Sequence, residues 1–396
     1  MPGPLSGVKV LDLTSVVMGP YATQILGDFG AEVIKVEAPG GDIMRQNAPA
    51  RSPGMGHIFM NANRNKRSVV LDLKHPDGRA ACLALAKDAD VLIYNIRPQA
   101  MARLQLGYDD LKKVNPRLIY VGAFGYSQRG PYAAKPAYDD LIQGAVGLPW
   151  LHKAAGGGAP RYLPAIIGDR GTALNVVNAV CAALYFREKS GKGQRVDVPM
   201  FESLLPLVLG EHLAGRTWDP PQGELGYLRM LAKGRAPYET KDGYICVLVY
   251  NDKQWASFFE LIGRTDLLKD PRYATPEARS RNFESAYELM AEEMRKHTTN
   301  EWLAKLEAAD IPVQRMNSLQ DLLEDPHLAA IGYFQKREHP SEGRITTMAV
   351  PSEWSESSPE YRRHAPRLGE HTRECLKEAG YSDATIDGLL KSGAAM

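Results

Sequence analysis

The chain has 396 residues, and 48 Lys+Arg against 47 Asp+Glu leave a formal charge of +1. That length suits two cores rather than one, and the balanced charge excludes a nucleic-acid binder working through a basic surface and an acidic disordered chain. Nowhere does an apolar run approach the ~20 residues that cross a bilayer. The opening Met1-Pro-Gly-Pro-Leu lacks the basic-then-apolar order of a secretory leader, so a cytoplasmic location is expected. Cys82, Cys181, Cys246 and Cys375 form no C-x-x-C pair, and the nine histidines show no H-E-x-x-H spacing. Neither a disulfide framework nor a metal is expected.

Val8–Leu13 reads as a buried strand, Pro20–Phe29 as a helix closed by Gly30, and Val33–Glu37 as a second strand. Ser68–Leu73 is strand-like, Asp77–Lys87 is a helix opened by Pro76, and Val91–Tyr94 and Leu118–Val121 are further strands. Strands alternating with helices predict βαβ units and a mostly parallel sheet. After a loop, Ala154–Pro160, with three consecutive glycines, Thr172–Lys189 reads as a helix apolar on most faces and therefore buried. Gln194–Val198 returns as a strand. Pro220-Pro221 and several glycines mark residues 215–237 as a linker. Beyond it, strand Tyr244–Tyr250 and helices Lys253–Gly263, Asn282–His297 and Thr299–Ala308 suggest a smaller α+β domain over 238–324. From about Asp325 the chain is loop-rich, with a helix near His371–Ala379.

Four features invite a functional reading. The first strand–turn–helix has the outline of a dinucleotide-binding unit, but its turn, Thr14-Ser-Val-Val-Met-Gly-Pro20, lacks G-x-G-x-x-G. Without those glycines the backbone cannot approach a pyrophosphate as NAD requires. Gly125-Tyr-Ser-Gln-Arg-Gly130 is one residue too long for a nucleophile elbow and runs straight into Pro131, so it reads as a turn. Arg64-Asn-Lys-Arg67 is either a solvated loop or part of a phosphate site. Asp169 precedes the apolar helix and reads first as its N-cap, yet a helix N-terminus also favours an ionised carboxylate, the form a nucleophile needs.

Several segments, in order along nearly the whole chain, carry a resemblance. They include Leu5-Ser-Gly-Val-Lys-Val-Leu-Asp-Leu-Thr, Gly19-Pro-Tyr-Ala-Thr, Gly30-Ala-Glu-Val-Ile-Lys-Val-Glu and Asn63-Arg-Asn-Lys-Arg-Ser. Leu71-Asp-Leu-Lys74, Leu106-Gly-Tyr-Asp-Asp-Leu with Asn115-Pro-Arg-Leu-Ile-Tyr, Gly125–Pro131, Tyr138-Asp139, Gly168-Asp169, Gly191-Lys-Gly-Gln-Arg-Val and Ala365-Pro-Arg-Leu-Gly-Glu-His complete the set. The chain resembles the class III CoA-transferases of the formyl-CoA transferase (CaiB/BaiF) family.

The resemblance implies an α/β fold: a Rossmann-like parallel-sheet domain built from both chain ends (1–214 and 325–396), with the smaller domain inserted, in an interlocked homodimer. It implies acyl-CoA and a carboxylic acid as substrates, no metal, and no nucleic-acid or membrane partner. Asp169 falls on the family's nucleophile. CoA contacts carry over to Val17 and Met18, to Leu71, Asp72, Leu73 and Lys74, to Asn95, Ile96 and Arg97, to Arg103, and to Ala137 and Tyr138. Ala38 and Pro136 depart from the basic residues some members carry there, although Lys135 is adjacent. No glycine-rich loop follows Asn251, which argues against oxalate as acceptor. Gly156–Gly158 is a candidate for a closing loop. A 2-methylacyl-CoA racemase is the alternative, disfavoured because Tyr138 stands where a proton-shuttling histidine would be and His152 reads as solvent-exposed in a loop. A non-catalytic CoA-binding subunit of a heteromer is a third reading. Arg51, Arg64 and Arg170 are possible partners for substrate carboxylates.

Overall fold

A computed structural model describes residues 3–396. β1 (Lys9–Leu13) leads through a turn into α1 (Met18–Asp28), followed by β2 (Glu32–Glu37), α2 (His57–Met60), β3 (Lys66–Val70) and α3 (Pro76–Lys87). Then come β4 (Val91–Tyr94), α4 (Pro98–Arg103), α5 (Tyr108–Val114), β5 (Ile119–Phe124), α6 (Asp139–Ala145) and α7 (Leu148–Ala154). The long α8 (Ile167–Ser190), β6 (Gln194–Pro199) and α9 (Met200–His212) follow. Two compact units emerge: one of residues up to Val146, Leu163–Leu207 and His327–Met396, the other of Gly147–Tyr162 and Val208–Pro326.

In the first unit six parallel strands are ordered β3-β2-β1-β4-β5-β6. β4 (VLIY) and β5 (IYVGAF) are buried at every position, as expected of parallel strands covered on both faces. The chain winds outward from β1 to β3, then crosses back to β4 and winds the other way. The loops leaving β1 and β4 therefore part in opposite directions, and a crevice opens beyond their carboxyl ends.

β3 starts two residues earlier than expected, at Lys66, and the run Arg64–Arg67 is neither a solvated loop nor a phosphate site. Arg64 forks onto Asp28 at 2.8 Å, Lys66 reaches Asp12 at 3.1 Å, and Arg67 meets Glu374 and Glu378 at 2.9 and 2.7 Å. Lys66 and Asp12 are wholly buried, a placement tolerable only because each neutralises the other. Burial opposes the charge of Asp12, yet Lys66, Lys35 and hydrogen bonds from Thr14 and Thr23 hold its carboxyl well below the ordinary range.

α8 begins five residues before the expected start, and it is not buried all round. Val176, Val177 and Val180 face inward, whereas Leu174, Tyr185 and Phe186 are exposed. The segment after 325, expected to be loop-rich with a helix near His371–Ala379, holds that helix (Thr372–Glu378) and also a short helix Pro326–Ala330, a β-hairpin (Phe334–His339 with Gly343–Met348) and a last helix, Asp383–Ser392. Cys375, Leu376, Ile386 and Leu389 join the same core as Leu85 and Leu92.

The second unit has an antiparallel sheet of β7 (Tyr238–Glu239), β8 (Tyr244–Val247) and β9 (Val313–Arg315). Helices Asp252–Leu261, Phe283–Met294 and Thr299–Ala308 pack Trp255, Phe258, Met290 and Trp302 into its core. Residues 215–237 are not an open linker: they carry the short helix Leu228–Leu231 and, with Trp255 and Met290, wall a cavity of about 860 Å³. Residues 147–162 also belong to this unit rather than to the first. His152 sits in α7, half-buried, with Nδ1 enclosed and unpartnered, instead of in a solvated loop. Gly157 allows this closeness, since a Cβ there would lie 2.3 Å from the imidazole. Among the described residues no helix is long and apolar enough to cross a membrane.

Candidate active site

The crevice beyond the carboxyl ends of β1 and β4 is a cleft of about 810 Å³ within the first unit. Its floor is the turn Ser15–Met18. Val16 adopts φ +74°, a left-handed conformation that strains a β-branched residue and persists only under external constraint. The constraint is visible. Asp42 Oδ1 accepts the Val16 N–H at 3.1 Å, and its other oxygen holds the buried Lys35 ammonium at 3.0 Å. Across the switch point Asn95 accepts from Ser15 N–H at 3.0 Å and donates to Ser15 O at 2.7 Å, clamping the two loops together. Gly19 is required here by close approach, because a Cβ would sit 2.2 Å from Thr14 Cβ.

Asp169 lines the same cleft at 8% exposure. It is not an N-cap. It is the third residue of α8, and Ile166 at the cap position supplies no side-chain bond. The Asp169 N–H instead donates to Asp139 Oδ1 at 2.9 Å, so the capping group comes from α6, thirty residues away. Among the described residues no donor bonds to either carboxylate oxygen of Asp169. Burial, then the charge of Asp139, raise its carboxyl to about 6 against the opposing pull of Arg170. At neutral pH it is ionised, yet more basic than an ordinary aspartate. That combination suits a carboxylate nucleophile.

The cleft brings together Val17, Met18, Asn95, Ile96, Arg97, Ala137, Tyr138 and Asp169. It does not include Leu71–Lys74 or Arg103. Leu71 is fully buried, its N–H bonded to Glu37 O, while Lys74 and Arg103 are exposed outside the cleft wall. Of the arginines considered for substrate carboxylates, Arg64 is spent on Asp28 and Arg51 binds the carbonyls of Glu342 and Arg344. The Arg170 guanidinium lies 4.5 Å from the centre of the Tyr21 ring. Lys135 does line the cleft, its ammonium 3.6 Å from the Tyr132 ring centre. After Asn251 there is a capping box with Gln254 in place of a glycine loop.

Residues given no role from the sequence also line the cleft: Met44, Asn47 and Ile58 between β2 and β3, Tyr126 and Gln128 after β5, and Asp139. An acid in the first turn of a short helix reads as a dipole contact and nothing more. The i,i+4 pairing of Asp139 with Gln143 is the one hint that α6 presents a fixed carboxylate.

The model of CoA-transferase family III matches residues 5–372. Human succinyl-CoA:glutarate CoA-transferase is 32% identical over 98% of this chain and 89% of its own length. The formyl-CoA:oxalate CoA-transferase of Escherichia coli O157:H7 is 31% identical over the whole of both chains. The crystal structure of a CaiB/BaiF family protein from Brucella suis superposes with a TM-score of 0.79 at 30% identity, covering 96% of this chain and all of the other. With Asp169 at the switch-point cleft and a family match spanning both units, the chain belongs to CoA-transferase family III and is a CoA-transferase acting between acyl-CoA and carboxylate.

Proposed function

We propose that the protein moves CoA from an acyl-CoA donor, succinyl-CoA, to a small carboxylic acid other than oxalate, with Asp169 as covalent nucleophile. An unbonded carboxylate, nearly shielded from water at the end of a parallel sheet, carries this reading. The Asp169 carboxylate attacks the thioester carbonyl; a C–O bond forms, the C–S bond breaks, and CoA thiolate leaves behind a mixed anhydride. Thiolate then attacks the aspartyl carbonyl and expels the donor carboxylate, giving an aspartyl-CoA thioester. The acceptor carboxylate attacks that carbonyl, releasing thiolate and forming a second anhydride. Thiolate attacks its acyl carbon, yielding the new acyl-CoA and restoring Asp169. No net proton is exchanged. Each intermediate is open to hydrolysis, so low solvent access at Asp169 protects the transfer.

Val17, Met18, Asn95, Ile96, Arg97, Ala137 and Tyr138 are assigned to CoA because they share the cleft with Asp169. Lys74 and Arg103, exposed outside the cleft, are the two cations proposed to reach the phosphates of CoA; Leu71 and Asp72, whose N–H groups already bond Glu37 O and Ala394 O, and Leu73 beside them are given no part in the cleft. The donor follows the human relative, whose name gives succinyl-CoA and glutarate. The capping box after Asn251, in place of a flexible glycine loop, supports an acceptor other than oxalate. The exposed Leu174, Tyr185 and Phe186 on α8 support a homodimer, because a second copy would take that apolar face out of water.

The test is to incubate the protein with succinyl-CoA, trap with hydroxylamine or borohydride, and map the adduct by mass spectrometry. Modification at Asp169 is expected, together with loss of CoA exchange in Asp169→Ala. An Asp169→Ala protein exchanging CoA at the parental rate would overturn the assignment.

A further inference from the structure

Resting on the assignment of Asp169 as nucleophile, we infer that Asp139 is the positioning residue that holds the backbone of that aspartate at the start of α8. Two contacts define its state. Asp139 Oδ1 accepts the Asp169 N–H at 2.9 Å, and Oδ2 accepts Gln143 Nε2 at 2.6 Å. The orientation of the Gln143 amide is set from elsewhere. Its oxygen accepts the Leu163 N–H at 2.9 Å, so its NH₂ must point toward Asp139 and the Ala165 carbonyl, 3.2 Å away. Gln143 is fully buried and cannot exchange these partners for water. Both oxygens of Asp139 therefore face donors. A carboxylate can accept on both; an asparagine cannot, because its NH₂ would face another donor.

Two consequences follow for Asp169. Its backbone is pinned at the start of α8 by a bond from a different helix, which fixes the point from which the carboxylate projects into the cleft. The held carboxylate also stands beside it as a fixed like charge, and a like charge disfavours ionisation of its neighbour. The effect agrees in sign with the raised Asp169 carboxyl, for which Asp139 is the largest charged contributor after burial. The opposing charge is Arg170, on the same helix and drawn toward Tyr21 of α1. Arg97, Lys135 and Asp140 are the other charged groups on the cleft wall. Gly168 shows how tight the arrangement is: a Cβ there would lie 2.8 Å from Asp139 Oδ1.

The experiment measures kcat and KM against pH for the parent, Asp139→Asn and Asp139→Ala, with Asp169→Ala as control and circular dichroism to verify folding. In the parent the acid limb of kcat/KM is expected near 6. Asp139→Asn should move that limb down toward the ordinary aspartate value. It should also lower the neutral plateau, because a less basic carboxylate attacks more slowly. Asp139→Ala should lose about 100-fold in kcat from misplacement, with KM for acyl-CoA little changed. A purely structural Asp139 would scale activity without moving the limb. An unmoved limb in Asp139→Asn with parental kcat in folded Asp139→Ala would overturn the inference, provided Asp169→Ala is dead. An active Asp169→Ala would instead refute the nucleophile itself.

Discussion

A nucleophile kept basic by burial should weaken the fold that holds it, and Asp169→Asn measures that cost. The folded chain holds the Asp169 proton to about 6, against 3.8 for an ordinary aspartate. Between those values the native state binds a proton the unfolded chain has released, so stability falls as pH rises through that window and is level above it. At 1.36 kcal/mol per pH unit the full gap is worth about 3 kcal/mol. Asparagine stays neutral at every pH and escapes the loss. The variant should therefore be more stable than the parent by about 3 kcal/mol near pH 7.5 and by about 1 kcal/mol near pH 4.5. Urea unfolding at matched protein concentration reads this as a rise in midpoint at constant slope, larger at the higher pH. An asparagine variant no more stable than the parent at about pH 7.5 would show that the carboxylate is well solvated and the account of its basicity is wrong.

Three further outcomes are expected. Lys66→Met should cost about 3–5 kcal/mol in urea unfolding, because it strips the wholly buried Asp12 of its nearest cation, and Asp12→Asn in the same chain should recover most of the loss. Arg97→Gln should raise KM for acyl-CoA about tenfold with kcat nearly unchanged, the size expected when one charge-assisted bond to phosphate is lost; an unchanged KM would remove Arg97 from the CoA site. In thiol titration with a disulfide reagent, the exposed Cys246 should react promptly, whereas Cys82 and Cys375, enclosed and pushed by burial to about 12, should react only on unfolding.

Much of the α/β framework was legible in the sequence because its signals are local. The VLIY run of β4 and the QRVDV start of β6 need only short-range patterning to read as strands. Thr299–Ala308 announces its own start through Thr298 and Glu301, whose reciprocal cap the structure contains. Asp169 could be singled out because its motif falls in register with a known family. Its surroundings could not, since they depend on which element arrives beside it.

The order of apolar and turn-forming residues along the chain was sufficient to determine alternating strands and helices and a parallel sheet. Burial of a strand's apolar face and the stops imposed by glycine and proline act over a few residues. The fate of the charges was decided only in three dimensions. Arg67 finds carboxylates more than three hundred positions away, Val16 is held in its strained turn by Asp42, and Asp169 is capped from α6. A charge in a low-dielectric interior is stable only beside its partner, and that partner is chosen by packing rather than by proximity along the chain.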